Sequence, residues 1–203
     1  LLFGGKSLAG GTIGVINTRV DVLMLGAFLS DKAVGIYSFA AILAEGFNQI
    51  PNIFRVNYDP LITKLVVRKQ LEKLRLIIRK FLKQWPPVSI IIGILAVILF
   101  PMFVKIITND PEILRGWIVF TILIVGVIFK SGYSVFWRIP SQSGYPGYQT
   151  ALIIFVTLSN ILLNYLFIPQ WGIYGAACAT SISFLLSVLC LKTIVKKLLG
   201  IKI

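Results

Sequence analysis

Arg19, Asp21, Glu45, Asn48, Gln49, Asn52, Arg55 and Lys130 stand inside stretches that are otherwise apolar. A charge in an apolar medium costs several kcal/mol unless it is paired or wetted, so such residues point to a site before they point to a fold. Their spacing sorts them, because each helical residue turns the face by about 100°. Arg19 and Asp21 lie about 200° apart and do not pair with each other; Asn17 shares the face of Asp21. Each of the two charges needs polar surroundings of its own. A helix wedged between neighbours on one side and a wet cavity on the other supplies them. Glu45, Asn48, Gln49 and Asn52 follow at i, i+3, i+4 and i+7, a continuous polar stripe. Pro51 removes a backbone donor from that helix and favours a kink, and Arg55 follows. Lys130 shares a face with Ser134, and Asn160 with Asn164. Polar groups on several helices predict one shared interior cavity, polar and partly cationic.

Packing roles compete with the site at several of these positions. Asn160 and Asn164 suit hydrogen bonding between helices. Lys130 suits snorkelling towards the cytoplasmic face. Gly10, Gly14, Gly175, Ala176, Ala179 and Ser183 mark close helix packing. Covalent chemistry finds little support. The chain has no His, so the commonest general base and metal ligand is missing. Cys178 and Cys190 share one apolar segment and lie about 18 Å apart along a helix, beyond disulfide reach; they read as packing residues. Zinc-type Cys/His spacing and a phosphate-cradling glycine loop are both absent from the sequence, and neither a metal nor a cofactor is expected.

The elements that must position these residues follow from composition. The 203 residues are 57% hydrophobic and only 13% charged, with a mean hydropathy of +0.90, which predicts an all-α integral membrane protein. Six spans are expected, at about 8–29, 34–57, 86–107, 114–137, 148–168 and 173–195. The connections "SDKAV", "TNDPEILR", "RIPSQSGYPGY" and "IPQWGIY" are short and rich in turn residues, so each helix runs antiparallel to the one before. Of the 20 basic residues, Lys64, Arg68, Lys69, Lys73, Arg75, Arg79, Lys80 and Lys83 crowd one segment. Lys6, Arg138, Lys192, Lys196, Lys197 and Lys202 fall on the same side, against Lys32, Lys105 and Arg115 on the other. The bias places both chain ends and the 58–85 connection in the cytoplasm. The net charge of +13 is thereby a matter of topology, with no nucleic-acid partner implied. Residues 61–85 repeat apolar positions between the basic ones and are expected as one amphipathic helix on the membrane surface.

A short pattern occurs twice, "VGIYSFA" at 34–40 and "WGIYGAA" at 171–177. The stretch "TRVDVLMLGAFLSDKAVGIYSFAAILAE" resembles the seventh and eighth helices of Wzx-type polysaccharide flippases, and "YDPLITKL" the end of the eighth. "LSNILLNYLFIPQWGIYGAACATSISF" resembles the eleventh and twelfth. These flippases belong to the oligosaccharide-exporting branch of the MOP superfamily and are similar in fold to MATE transporters and lipid II flippases. The resemblance implies the C-terminal six-helix lobe, residues 1–203, of a two-lobed transporter in the cytoplasmic membrane, with the N-terminal lobe outside this chain. It implies a lipid-linked oligosaccharide on polyprenyl pyrophosphate as substrate, membrane lipid and other polysaccharide assembly proteins as partners, and alternating access without catalysis. Arg19, Arg55, Lys130 and Arg138 become candidate contacts to the phosphates, since Arg matches phosphate oxygens with two donors. Glu45, Asn48, Gln49 and Asn52 become cavity residues. Asp21 and Glu45 become candidates for proton or sodium coupling. A MATE-like drug or cation exporter is the alternative, favoured by an acidic cavity. A membrane-embedded polymerase or acyltransferase is disfavoured by the missing His, the scarce carboxylates and the short outer turns.

The topology has a direct check. Single cysteines at Gln70 and Asn109, in a background without Cys178 and Cys190, are expected to react with an impermeant thiol reagent from opposite faces of the membrane. Labelling of both from one face refutes the six-span map.

Overall fold

The computed structural model describes residues 20–108 and 110–201. Those residues are helical and contain no strand. The elements are α1 (Val20–Phe28), α2 (Asp31–Val67), α3 (Leu71–Ile107), a short 3-10 helix (Pro111–Arg115), α4 (Gly116–Ser134), α5 (Ile139–Gln142) and α6 (Pro146–Leu199).

Local chemistry sets most of the boundaries. Ser30, in extended backbone, precedes α2, and Asp31 stands in its first turn where the helix dipole favours a carboxylate. Val67 is the last residue of α2. Beyond it Gln70 N–H donates to Leu65 O at 2.9 Å and Lys69 N–H to Val66 O at 3.0 Å, with Lys69 left-handed at φ 54°. This is a Schellman ending with a lysine where glycine is usual. Asp110 Oδ1 accepts from Glu112 N–H at 2.9 Å and caps the 3-10 helix, which Pro111 opens. Gly200, at φ 68°, closes α6 behind Lys196 and Lys197.

The 54 residues of α6 would span about 80 Å if straight. They do not. Gly172 has φ 55° and ψ −132°, and Asn160 Nδ2 donates to Thr180 Oγ1 at 3.4 Å. Residues twenty apart on a straight helix lie about 30 Å apart. The element is therefore a hairpin of two arms, 146–171 and 173–199. A Cβ on Gly175 would collide with the carbonyl of Phe167, so the turn closes only with glycine there. This agrees with the close-packing role expected for Gly175.

Packing centres on α4, whose Val119, Phe120, Leu123, Ile124 and Val127 are buried. Trp117 Nε1 donates to Val97 O and Trp85 Nε1 to Ser131 Oγ, both at 2.8 Å, fixing α3 on α4. Ser181 Oγ donates to Ile122 O at 2.8 Å and fixes the second arm of α6. The exterior stays apolar: Ile91, Ile98, Met102 and Ile106 on α3 and Leu158 and Leu162 on α6 are exposed. Three segments are long and apolar enough to cross a membrane, Leu71–Ile107, Pro111–Gln142 and Pro146–Leu199, which marks the chain as a membrane protein. In α2 the polar residues Glu45, Asn48 and Gln49 interrupt the apolar run.

The first expected span, 8–29, lies mostly outside the described residues, as does Arg19. The elements differ from expectation in three places. The helix expected over 34–57 continues through Pro51 and Pro60 to Val67. The span expected at 114–137 ends at Ser134. Most instructive, residues 61–85 are not one separate surface helix. The turn at 68–70 divides them between α2 and α3, and their apolar face is covered by protein. Ile62, Leu74, Ile78 and Phe81 are buried in a cluster with Phe136, Ile139, Leu152 and Leu191. With 37 residues, α3 is about 55 Å long, against about 30 Å of bilayer hydrocarbon. Its basic first half has the length to stand beyond the apolar layer.

Close approach of α4 to the second arm of α6 is testable. A Cβ on Gly126 would sit 2.8 Å from Ser181 Cα. Gly126→Ala is expected to lower stability by about 1–3 kcal/mol, read as a fall in the unfolding midpoint of the purified chain in detergent. Gly46→Ala, with nothing within 4 Å of the new Cβ, is expected to hold or raise that midpoint, alanine being favoured by about 1 kcal/mol.

Candidate functional site

Between the helices lies a cavity of about 130 Å3. Each wall is a helical stripe. α2 supplies Ala41, Ala44, Glu45 and Asn48, and α4 supplies Leu123, Val127 and Lys130. The arms of α6 supply Val156 and Asn160, then Thr180, Ser183 and Phe184; α1 supplies Asp21 and Val22. Spacings of three and four residues turn one face of each helix inward, and α3 takes no part.

One side is a directed chain of hydrogen bonds. Asn164 Nδ2 donates to Asn160 Oδ1 at 3.0 Å, and Asn160 Nδ2 to Thr180 Oγ1 at 3.4 Å. Thr180 Oγ1 lies 3.5 Å from the Tyr37 hydroxyl, which donates to Asp21 Oδ2 at 2.5 Å. Asp21 Oδ1 accepts from Val22 N–H at 2.9 Å. Because the Tyr37 hydrogen is given to Asp21, the Thr180 hydroxyl donates to Tyr37, and each donor points towards the carboxylate. Successive polarisation of this kind strengthens the chain in a low-dielectric interior. Asp21, Asn160 and Asn164 are buried.

The opposite side is held by Lys130. Its Nζ lies 4.1 Å from the centre of the Phe184 ring, a cation–π contact, and its charge feels Glu45 and Arg55. Asn48 Oδ1 is shielded and accepts no hydrogen bond among the described residues. An acceptor in that position suits a hydroxyl or ammonium donor from a ligand.

The cavity brings together Asp21, Glu45, Asn48 and Lys130. It does not bring in the rest. Gln49 is exposed, and its Oε1 accepts from Asn52 Nδ2 at 3.1 Å away from the lining. Arg138 pairs with Asp59 at 3.7 Å, and Gln142 Nε2 donates to the same carboxylate at 2.8 Å. Arg55 feels both Arg138 and Asp59, and its Nε is shielded with no hydrogen-bond partner among the described residues. These residues form a separate polar cluster at the basic end. Arg19 lies outside the described residues.

Tyr37, Thr180, Ser183, Phe184 and Asp59 were absent from the expected site. A signal for Tyr37 existed: it stands as far beyond Leu29 as Asp21 stands before it. Residues equally far from a tight helical turn meet at the same depth. Asn160 and Thr180 are placed similarly about Gln170, two residues before Gly172.

No known protein family, curated protein or solved structure matches the chain.

The Asp21 network carries its own prediction. Tyr37→Phe leaves a buried carboxylate short of its closest side-chain donor and is expected to cost about 1–3 kcal/mol. Asp21→Asn together with Tyr37→Phe is expected to cost less than the sum of the single changes, since the pair is one interaction. Additive losses in the unfolding midpoint refute the coupling.

Proposed function

We propose that the chain is the six-span lobe of a MOP/MATE-like transporter that moves a polyprenyl-pyrophosphate-linked oligosaccharide across the cytoplasmic membrane. The supporting observation is a cavity whose lining sets an ammonium, two carboxylates and amide groups among apolar side chains, between helices whose outer faces are apolar. Such a lining is unstable against lipid and suits a wet, sugar-bearing headgroup. Asn48 offers an acceptor to a hydroxyl, and Lys130 offers a charge to a phosphate. Arg55 and Arg138 continue the cationic row towards the basic end, where a headgroup from the cytoplasmic leaflet would first arrive. Alternating access by rocking against a second lobe moves the group without covalent chemistry. Six spans follow if the expected first span (8–29), α2, α3, α4 and the two arms of α6 each cross the bilayer once. Asp21 and Glu45 are the coupling candidates, and membrane lipid is the surrounding partner.

One observation favours a MATE-like cation exporter instead. Among the described residues, two carboxylates and a single ammonium line the cavity. Against it stands only the expectation, from the sequence, that Arg19 adds a second cation; Arg19 lies outside the described residues.

Lys130 separates the readings. In the full-length transporter, Lys130→Ala and Lys130→Gln are expected to reduce glycan export at least about tenfold, the loss of one charge-assisted phosphate contact of about 1.5–3 kcal/mol. Protein level is expected to hold. Lys130→Arg is expected to retain part of the export. Unchanged glycan export, with raised efflux of cationic dyes, overturns the flippase reading in favour of the cation exporter.

A further inference from the structure

The end of the bundle opposite the basic cluster holds a second hollow, separate from the central cavity. Its volume is about 340 Å3, within the range of ligand-sized pockets. Lys32 at the start of α2, Glu112 and Arg115 of the 3-10 helix, and Trp171, Gly172 and Tyr174 at the tip of α6 line it. Three elements distant in sequence therefore converge on one concavity.

The turn at Gly172 organises the aromatic part. Its backbone, at φ 55°, reverses the chain between Trp171 and Tyr174, and both flank the same hollow. Trp171 is 52% exposed and Tyr174 36%. Trp171 is nevertheless fixed, because the Phe167 ring packs on it with centroids 4.9 Å apart. An exposed indole braced from one side is a preformed platform with little left to order on binding.

The charges are not balanced. Lys32 Nζ meets Glu112 Oε2 at 2.6 Å, so these two answer each other. Asp110 Oδ1 is engaged by Glu112 N–H at 2.9 Å and does not line the hollow. Arg115 is exposed and makes no ion pair among the described residues. Its planar fork of donors is the uncompensated charge, and such a fork matches a carboxylate with two parallel hydrogen bonds.

We propose that this hollow is a saccharide-binding site selective for an acidic sugar, with Trp171 and Tyr174 as the stacking surface and Arg115 as the carboxylate contact. The choice of a sugar rests on the oligosaccharide reading above; the choice of an acidic one rests on Arg115. The apolar C–H face of a pyranose covers an aromatic ring, and its hydroxyl edge remains free for Lys32, Glu112 and water. At this end of the bundle the site receives a glycan that has passed the central cavity. A membrane-interface belt also places Trp and Tyr at helix ends, but a belt predicts no saturable recognition of a soluble sugar.

The test is calorimetric titration of the full chain in lipid nanodiscs with trigalacturonic acid and with its neutral methyl ester. Saturable binding of the acid is expected, at least about tenfold tighter than the ester, the equivalent of one good ionic contact, and weakening as salt is raised. Arg115→Gln is expected to erase the preference for the acid, and Arg115→Lys to restore part of it. Trp171→Ala is expected to weaken both ligands alike, with Trp171→Phe recovering part. These side chains are exposed, so the unfolding midpoint is expected to stay at the wild-type value. Equal affinity for acid and ester, an Arg115→Gln chain that still prefers the acid, or no binding at all overturns the proposal. If no sugar binds while export still depends on Lys130, this site falls and the transporter reading stands. If the acid binds as described while no variant of Lys130 alters export, the site stands and that reading falls.

Discussion

A carboxylate buried among apolar helices has to be answered by donors of its own chain, and in this protein Asp21 is that carboxylate. Its answer is the Tyr37 hydroxyl at 2.5 Å, and the consequences spread outward. The pair ties α1 to α2 across the turn at Leu29 and Ser30. Thr180 and Asn160 extend the tie to both arms of α6. Four helical pieces thereby share one polar seam, although their remaining contacts are apolar and non-directional. Dispersion and lipid exclusion bring apolar helices together without specifying depth or rotation; a directed chain of hydrogen bonds specifies both. The cavity follows from the same seam, since the residues that satisfy Asp21 keep the second arm, with Phe184 against Lys130, at a fixed offset from α2 and its Glu45 and Asn48.

The second constraint is close approach around α4. Gly126 meets Ser181, Gly132 meets Leu82 and Trp85, and Gly93 meets Ile124 and Ile128. Without a Cβ at these points the helices come near enough for Trp85, Ser131 and Ser181 to reach across. Small residues thus do for α4 what the Asp21 chain does for α1: they convert unspecific association into a single arrangement. Sulfur plays no part in this, as Cys178 and Cys190 are free thiols, in line with their spacing.

How much of this was legible in the sequence depended on which physical quantity a pattern reports. Helical character and membrane class were plain, because they follow from long apolar runs. Glu45, Asn48 and Lys130 were recognisable as inward-facing, because charge or amide at depth has few other places to go. The same stripe reached too far at Gln49 and Asn52: Gln49 stands about 100° round the helix from Asn48 and is exposed, and Asn52 lies a further turn along α2, past the last lining residue. The 61–85 segment shows the deeper limit. A periodic apolar face states that something covers it, and says nothing of whether that is lipid or protein. Here Phe136, Ile139 and Leu191, remote in sequence, cover it. Tyr37 was passed over for a different reason. A tyrosine in an apolar helix reads as packing until the position of the turn is known, and only then does its depth coincide with that of Asp21.

The two ends of the bundle differ in a way that bears on direction. At the basic end, Asp59 holds Arg138 and Gln142 while Arg55 stands beside them with a shielded, unpartnered Nε. One carboxylate answers two guanidinium groups, so an anion arriving there meets net positive charge. Lys130 extends this field into the cavity, at a point where Glu45 offsets it. In the hollow at the other end Lys32 and Glu112 cancel, and Arg115 is the charge of its lining left without an ion pair. On the proposed reading the cationic field is strong at entry, balanced at mid-depth and weak at exit. A uniformly basic path would bind a pyrophosphate headgroup equally everywhere and trap it. A graded path lets the group enter and leave, and the carboxylates that produce the gradient, Asp59 and Glu45, matter to passage as much as the cations that attract it.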